Sequence, residues 1–325
     1  MAERASVFQG VQIGVETSGS VAADKKLNSL SIEPGIKAEV EMFRPMGSKY
    51  PTLSALGKEW VEAKLSGQPT YSEIIYPLSS LVNATSGSVV AVSGSPVIWD
   101  FSSANASADT TKTFSIEQGD STRAHRIVGA QVNSLKLSFS RSKIELDGSL
   151  FGKTLTDGIT MTSSPTSIEQ VPVLPTQVSY YIDDTYAALG TTKLDRVLEV
   201  VWELSDRFNP LWVLDASESS YVATVETAPK LSCNVLVEAN AAGMGLLTPL
   251  RAGDTKFMRI KAQGALIGST YYYLLQIDMA VKVANVSEFK DTDGVFAVEY
   301  EMQGVYDASW GKAFTIRVVN KQQTL

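Results

Sequence analysis

Paired carboxylates are the residues of this chain best placed to do chemistry. They stand at Glu39/Glu41, Glu199/Glu203, Glu299/Glu301 and Asp183/Asp184. One acid held protonated beside one held ionised is the machinery of glycoside hydrolysis. The glutamate pairs, however, lie at even spacing in segments that alternate apolar and polar residues. Even spacing puts both acids on the wet face of a strand, so a solvated acidic surface is expected. Gly148-Ser149-Leu150-Phe151-Gly152-Lys153-Thr154 resembles a phosphate-binding loop, but it has three residues between its glycines where that motif has four. No amphipathic helix follows to present backbone amides to a phosphate. Asp291-Thr292-Asp293-Gly294 opens like a calcium loop and lacks the distal glutamate, so it reads as a hairpin turn. The one histidine, His125, lies between Arg123 and Arg126, and the one cysteine, Cys233, sits in an apolar strand. These counts argue against histidine metal sites, serine triads, zinc clusters and an internal disulfide. The expectation is a protein with no catalytic, cofactor or metal site: not an enzyme.

The elements carrying these residues are strands. Leu135, Leu137 and Phe139 alternate with Lys136, Ser138 and Ser140, and Ile144 and Leu146 with Glu145 and Asp147. Ile277, Met279, Val281 and Val283 alternate with Asp278, Ala280, Lys282 and Ala284. Phe296, Val298, Tyr300 and Met302 alternate with Ala297, Glu299, Glu301 and Gln303. One greasy face and one polar, mostly acidic face is the pattern of antiparallel sheets with one side wet. The fold class expected is mainly β. A helix is predicted over 72–82, with Ser72 as N-cap and Pro77 as its start or kink. Asp184 to Leu189 suits one further turn. The segments 1–23 and 83–111 read as an arm and an extended loop.

At 325 residues, 44% apolar and 19% charged, the chain suits an ordered protein of two domains. A net charge of −7 argues against a protein built to grip nucleic acid phosphates. The start, MAERASVFQG, reads as no signal peptide, and no apolar run reaches bilayer length. The sequons at Asn83, Asn105 and Asn285 are therefore read as incidental.

The two halves resemble each other. Glu41-Met42-Phe43-Arg44-Pro45 matches Asp206-Arg207-Phe208-Asn209-Pro210, and Lys64-Leu65-Ser66-Gly67 matches Lys230-Leu231-Ser232-Cys233. Pro77-Leu78 matches Pro249-Leu250, and 109–116 matches 254–260 with one residue deleted. Leu135/Leu137/Phe139 match Ile277/Met279/Val281, and Ile144/Leu146/Gly152 match Phe296/Val298/Gly304. The matches keep their order, which predicts a duplication; one large sandwich with repetitive strands is the alternative. The division expected is an N-terminal arm (1–23), a first β domain (24–161), a proline-stiffened linker (162–177), a second β domain (178–316) and a C-terminal arm (317–325).

Several stretches resemble tail tube proteins (major tail proteins) of long flexible-tailed bacteriophages. They are Gly14-Val15-Glu16-Thr17-Ser18-Gly19, the glycine-bounded segment Gly148 to Lys153, Ile168 to Pro175, Leu204 to Pro210 and Val305-Tyr306-Asp307. The resemblance covers most of the chain as a general pattern. It implies two tail-tube-like β sandwich or barrel domains, each with a short flanking helix, in a structural virion protein that polymerises into stacked rings around a DNA channel. Rings of six single-domain subunits are usual in that family. Two fused copies imply rings of three chains. Partners implied are the chain itself, tail tip, tail terminator and tape-measure proteins, with DNA passing unbound and no membrane. The setting implied is the phage tail, assembled in the host cytoplasm. Glu39, Glu41, Glu145, Asp147, Glu199, Glu203, Glu299 and Glu301 are the pool expected to supply channel-facing acids. Arg44, Pro45, Tyr50, Leu53, Phe208, Pro210 and Trp212 mark the loops expected to stack ring on ring. A capsid decoration or baseplate protein is the alternative, and a carbohydrate-binding β protein a more distant one.

Overall fold

The computed structural model describes residues 9–17, 19–83, 87–92, 94–120, 122–215 and 217–325. The chain is mainly β, as its alternation predicts. The first half holds β1 (Gly10–Val15), β2 (Lys25–Leu27), β3 (Leu30–Phe43) and β4 (Leu53–Gly67), then helix α1 (Ile75–Leu81). It continues with β5 (Ser88–Val89), β6 (Val97–Phe101), β7 (Phe114–Gly119), β8 (Ala124–Ser140), β9 (Ile144–Gly152), β10 (Thr154–Ile159) and β11 (Thr166–Ser167). The second half holds β12 (Val178–Asp183), β13 (Val197–Ser205), β14 (Phe208–Leu211), β15 (Ala223–Glu226) and β16 (Lys230–Glu238). Two short helices follow, α2 (Ala241–Met244) and α3 (Leu247–Ala252). The chain ends with β17 (Lys256–Ile267), β18 (Tyr271–Val286), β19 (Lys290–Thr292), β20 (Val295–Gly304) and β21 (Phe314–Asn320).

Long strands organise both halves. The near part of β8 is flanked by β7 and β10, and its far part by β9 and β13. The near part of β18 is likewise flanked by β17 and β21, and its far part pairs with β20. Antiparallel ladders thus run without a break through β3, β4, β9, β8, β13, β16, β20 and β18. This run does not close into a barrel: among the described residues, β3 pairs only with β4, and β18 beyond Val281 pairs only with β20. One face is core, with Ile32, Leu65, Leu146, Leu137, Trp202, Cys233, Tyr300 and Val281 all buried along successive strands. Helix α1 closes this core with Ile75, Leu78 and Leu81.

Local expectations are corrected in several places. Residues 1–8 of the expected arm lie outside the described residues. Gly10–Val15 is no arm: β1 pairs with β2 and β7 and buries Val11 and Ile13. The expected loop 83–111 contains β6, which pairs with β21 of the second half, Trp99 opposite Val318. The C-terminal arm starts later than 317, because β21 runs to a buried Asn320. Segment 162–177 is docked along its length. Thr166 and Ser167 add a short parallel strand to β2, Thr70 bridges to Pro172, and Ile168 and Val173 are buried. Ser72 does not cap α1; its hydroxyl is buried without a partner, and Thr70 Oγ1 accepts the amide of Glu73 instead. Pro77 sits in the first turn of α1, where its missing N–H costs nothing.

A buried ion cluster fastens the halves where β13 leaves the sheet. The Arg207 guanidinium, 1% exposed, donates to Asp109 at 2.6 Å, to Glu226 at 2.8 Å and to the Leu81 carbonyl at 2.9 Å. Removing one member of such a cluster strands the other charges, at a cost of about 3–5 kcal/mol. Arg207→Leu should lower the free energy of unfolding by that amount, and adding Asp109→Asn should recover part of it. A double-mutant cycle by chemical denaturation measures both.

Candidate assembly surface

The eight candidate acids all lie on the continuous run of strands, on the face turned away from the core. Side chains alternate faces along a strand and stay in rows across a ladder. Glu203 stands opposite Lys136, and Lys136 opposite Asp147. Val201 stands opposite Ser138 and Asn234, which lie opposite Glu145 and Glu301. Glu199 and Glu299 share that parity, and Glu39 and Glu41 extend the face along β3 beside Lys58. All eight are exposed or half-exposed. This face is less acidic than the alternation implies. Lys37, Lys58, Lys64, Lys136, Lys230 and Lys282 interleave with the acids. Lys58 lies 3.3 Å from Glu39, Lys143 2.6 Å from Glu145, and Lys290 2.7 Å from Glu299.

Each half sends a hairpin beyond the sheet, and the two differ in conformation. β3 and β4 run on as one long ladder from Leu30/Gly67 to Phe43/Leu53, turning through Arg44, Pro45 and Tyr50. Tyr50 is 68% and Leu53 67% exposed. Sequence reasoning missed most of the apolar surface here. Val40 and Met42 alternate with glutamates, a core pattern, yet they are 49% and 69% exposed because this part of the hairpin reaches past the sheet. Ile36, Phe43, Met46 and Leu56 are exposed as well.

The second hairpin folds back. Asp206 takes a positive φ of 57°, and the chain continues as the separate pair β14–β15. Phe208, expected at a free loop, is buried at 5% with Phe151 and Tyr221. Trp212 is half-buried, with its ring edge-on to Trp60 at 5.6 Å and Lys58 over its face at 5.2 Å. Pro210 is half-buried and lies opposite Thr224. This hairpin therefore covers the polar face at the ends of β4 and β9.

The remaining candidates for chemistry serve the fold. Gly148 and Gly152 belong to β9, and a Cβ at Gly152 would come 2.3 Å from the Ile127 side chain. Lys153, the lysine of that loop-like segment, donates to the Val222 carbonyl at 2.9 Å and so holds the second hairpin. The Asp183 carboxylate accepts from Thr191, Thr192 and Gly190. Burial alone would raise its pKa, but these hydrogen bonds outweigh burial and hold it below the ordinary value. Asp184 pairs with Lys256 instead of its neighbour. Cys233 is buried, which pushes its thiol pKa up. Asp291 accepts the Gly294 amide at 3.0 Å in the turn between β19 and β20. Among the described residues, no group of three or more His, Cys, Asp and Glu side chains is placed to hold a metal. Nor is any helix long and apolar enough to cross a membrane.

No protein-family model matches the chain, and no curated protein matches it.

His125 supplies a pH-dependent test of this packing. Its Nε2 is buried without a partner, and burial lowers its pKa, a shift that nearby Asp157 opposes. A histidine with a lowered folded-state pKa binds fewer protons folded than unfolded, so stability falls as pH drops below the unfolded value of about 6.5. His125→Gln should lose less stability than the wild type between about pH 7 and about pH 5. Urea midpoints of both proteins at the two pH values check this.

Proposed function

We propose that this chain is a structural protein that assembles with copies of itself into stacked rings, forming a tube through which DNA passes. The observation that carries this reading is the unbroken run of eight strands from β3 to β18. Its polar face holds all the candidate acids, and among the described residues no further strand pairs with the outer side of β3, and none but β20 with β18 beyond Val281. A sheet edge is an aggregation hazard in a lone molecule and a ready interface in an assembly. Excess carboxylate on the polar face would repel phosphate and deny it the counterion release that drives nucleic acid binding. The resemblance to phage tail tube proteins supports the same reading. In it, the exposed apolar residues of the first hairpin, with Tyr50 and Leu53, are covered by the next ring. The tip, terminator and tape-measure proteins are the proposed partners at the tube ends and lumen, and the virion is the proposed location.

The chain is proposed to comprise two tandem β domains, each with a short helix, so that three chains supply six copies. Ladder geometry supports this. The bulge between Val132/Leu150 and Ser134/Ser149 recurs between Val283/Met302 and Asn285/Glu301. Gly152 and Gly304 therefore occupy equivalent positions, and each is hemmed in by an aliphatic side chain: a Cβ at Gly304 would come 2.4 Å from Leu231. The ladders shift several of the sequence matches. Lys64, opposite Ser149, corresponds to Asn234 opposite Glu301, not to Lys230. Leu135, opposite Gly148, corresponds to Val286 opposite Tyr300, not to Ile277.

Electron microscopy of the purified protein tests the reading. Uniform tubes with three chains per ring are expected; six chains per ring would remove the fused-domain proposal and leave the tube, and a monomer at all concentrations would remove both. Met42→Ser with Leu53→Ser should abolish tube growth. Because both side chains are exposed, the free energy of unfolding should change by no more than about 0.5 kcal/mol.

A further inference from the structure

Besides the pairing of β6 with β21, the halves are joined by β13 and β8, and among the described residues two edges of that second kind are unmatched. In the joint, β13 lies against the far part of β8 with Leu204 opposite Leu135, Trp202 opposite Leu137 and Val200 opposite Phe139. Both Leu204 and Leu135 are 0% exposed there. The last residue of β18, with β19, corresponds to the part of β8 that β13 joins: Leu135 faces Gly148 across the bulged ladder as Val286 faces Tyr300, and Phe139 faces Ile144 as Asp291 faces Phe296. Among the described residues, no strand lies on their other side. β3 corresponds to β13. Ile32 faces Leu65, which faces Gly148, as Val200 faces Val235, which faces Tyr300. Four residues further on, Ile36 corresponds to Leu204. Ile36 is 55% exposed, whereas Leu204 is fully covered. The outer side of β3 also lacks a strand.

We infer that β3 of a second copy of this chain pairs antiparallel with the open edge formed by the end of β18 and by β19, in the register of the internal joint, with Ile36 opposite Val286. This inference rests on the self-assembly reading and adds the two edges and their alignment. The joined surfaces are different, so each copy offers one edge and uses the other. Such head-to-tail contacts close into a ring when their rotation closes, and they do not stop at a two-fold dimer. The pairing would cover Ile36 as Leu204 is covered, and would give the unpaired edge groups of β3 and β18 their partners.

Cysteine cross-linking of the full chain tests the register. Directly opposed residues on antiparallel strands lie about 4.5–5.5 Å apart, within disulfide reach. Cys233 is 0% exposed and does not compete. Under mild oxidation, Ile36→Cys with Val286→Cys should give linked species of two and three chains on a non-reducing gel. Either single variant, and Ile36→Cys with Lys282→Cys, should stay largely one chain. Unchanged circular dichroism and denaturation midpoints establish that the variants fold. Rings or tubes in micrographs without the linked species would overturn the register and leave the tube reading standing. Equal linking by the Lys282 pair, or linking that ends at two chains, would overturn it too. Neither assembly nor linking would overturn both readings.

Discussion

The pairing of β13 with β8 is the interaction on which the rest of this structure depends. β8 is the strand shared by both halves: its near part holds the first half's outer sheet, and its far part joins β9 to β13. Take β13 away and the run of eight strands splits, the acids fall on two separate faces, and Trp202 and Leu204 lose the Leu137 and Leu135 side of their packing. Backbone groups on a strand edge must find partners or water, and here the second half provides those partners. The side-chain cluster around Arg207 sits just beyond the last pair, Leu204 with Leu135. There it ties the departing strand to Asp109 and to the end of α1. The joint is thus held by ladder, core and buried charge together, which makes its alignment hard to slip.

The polar face has a finer character than net charge suggests. Its acids lie in rows beside lysines, and several are paired with them across or along the strands. Exposed pairs of this kind contribute at most about 1 kcal/mol each, so their weight lies less in stability than in the field they leave. Interleaved lysines flatten that field, while Glu33 and Glu62, exposed on the same face, leave carboxylates in surplus. Such a surface repels phosphate weakly, where an isolated strong cationic patch would hold it.

Much of this was legible in the sequence. Period-two alternation located β8, β9, β18 and β20, and parity put all the candidate acids on one side. Where reading failed, the cause was physical. Alternation has a period of two residues, so a slip of four, as between Lys230 and Asn234, leaves every face unchanged. The bulges beside Val132 and Val283 shift the phase, which hid the match of Leu135 with Val286. β1 and β6 are short strands whose partners lie far away in the chain, and nothing local marks them as more than loops. Val40 and Met42 carry the alternation of a buried strand because pattern reports which side of a strand is apolar, not whether anything covers it.

The two hairpins show how one supersecondary unit takes two roles. In the second half, the positive φ at Asp206 breaks the ladder, and β14–β15 turns back to put Phe208 and Tyr221 on Phe151. In the first half the β3–β4 ladder continues past a bulge beside Glu39 and Val40 as far as Phe43, with its apolar residues bare. The long segment between α1 and β7 adds to this asymmetry, for it lends β6 to the edge of β21, while β10, at the corresponding place, receives no strand among the described residues. The second half is therefore completed by the first within one chain, and the first half is left with an uncovered hairpin and an unpaired edge. A molecule with every interface satisfied internally would have no reason to keep Ile36, Met42, Phe43 and Leu53 on its surface. Their exposure, at the end of a sheet that stops with its backbone groups unpaired, locates what the molecule lacks on one side and what it offers on the other.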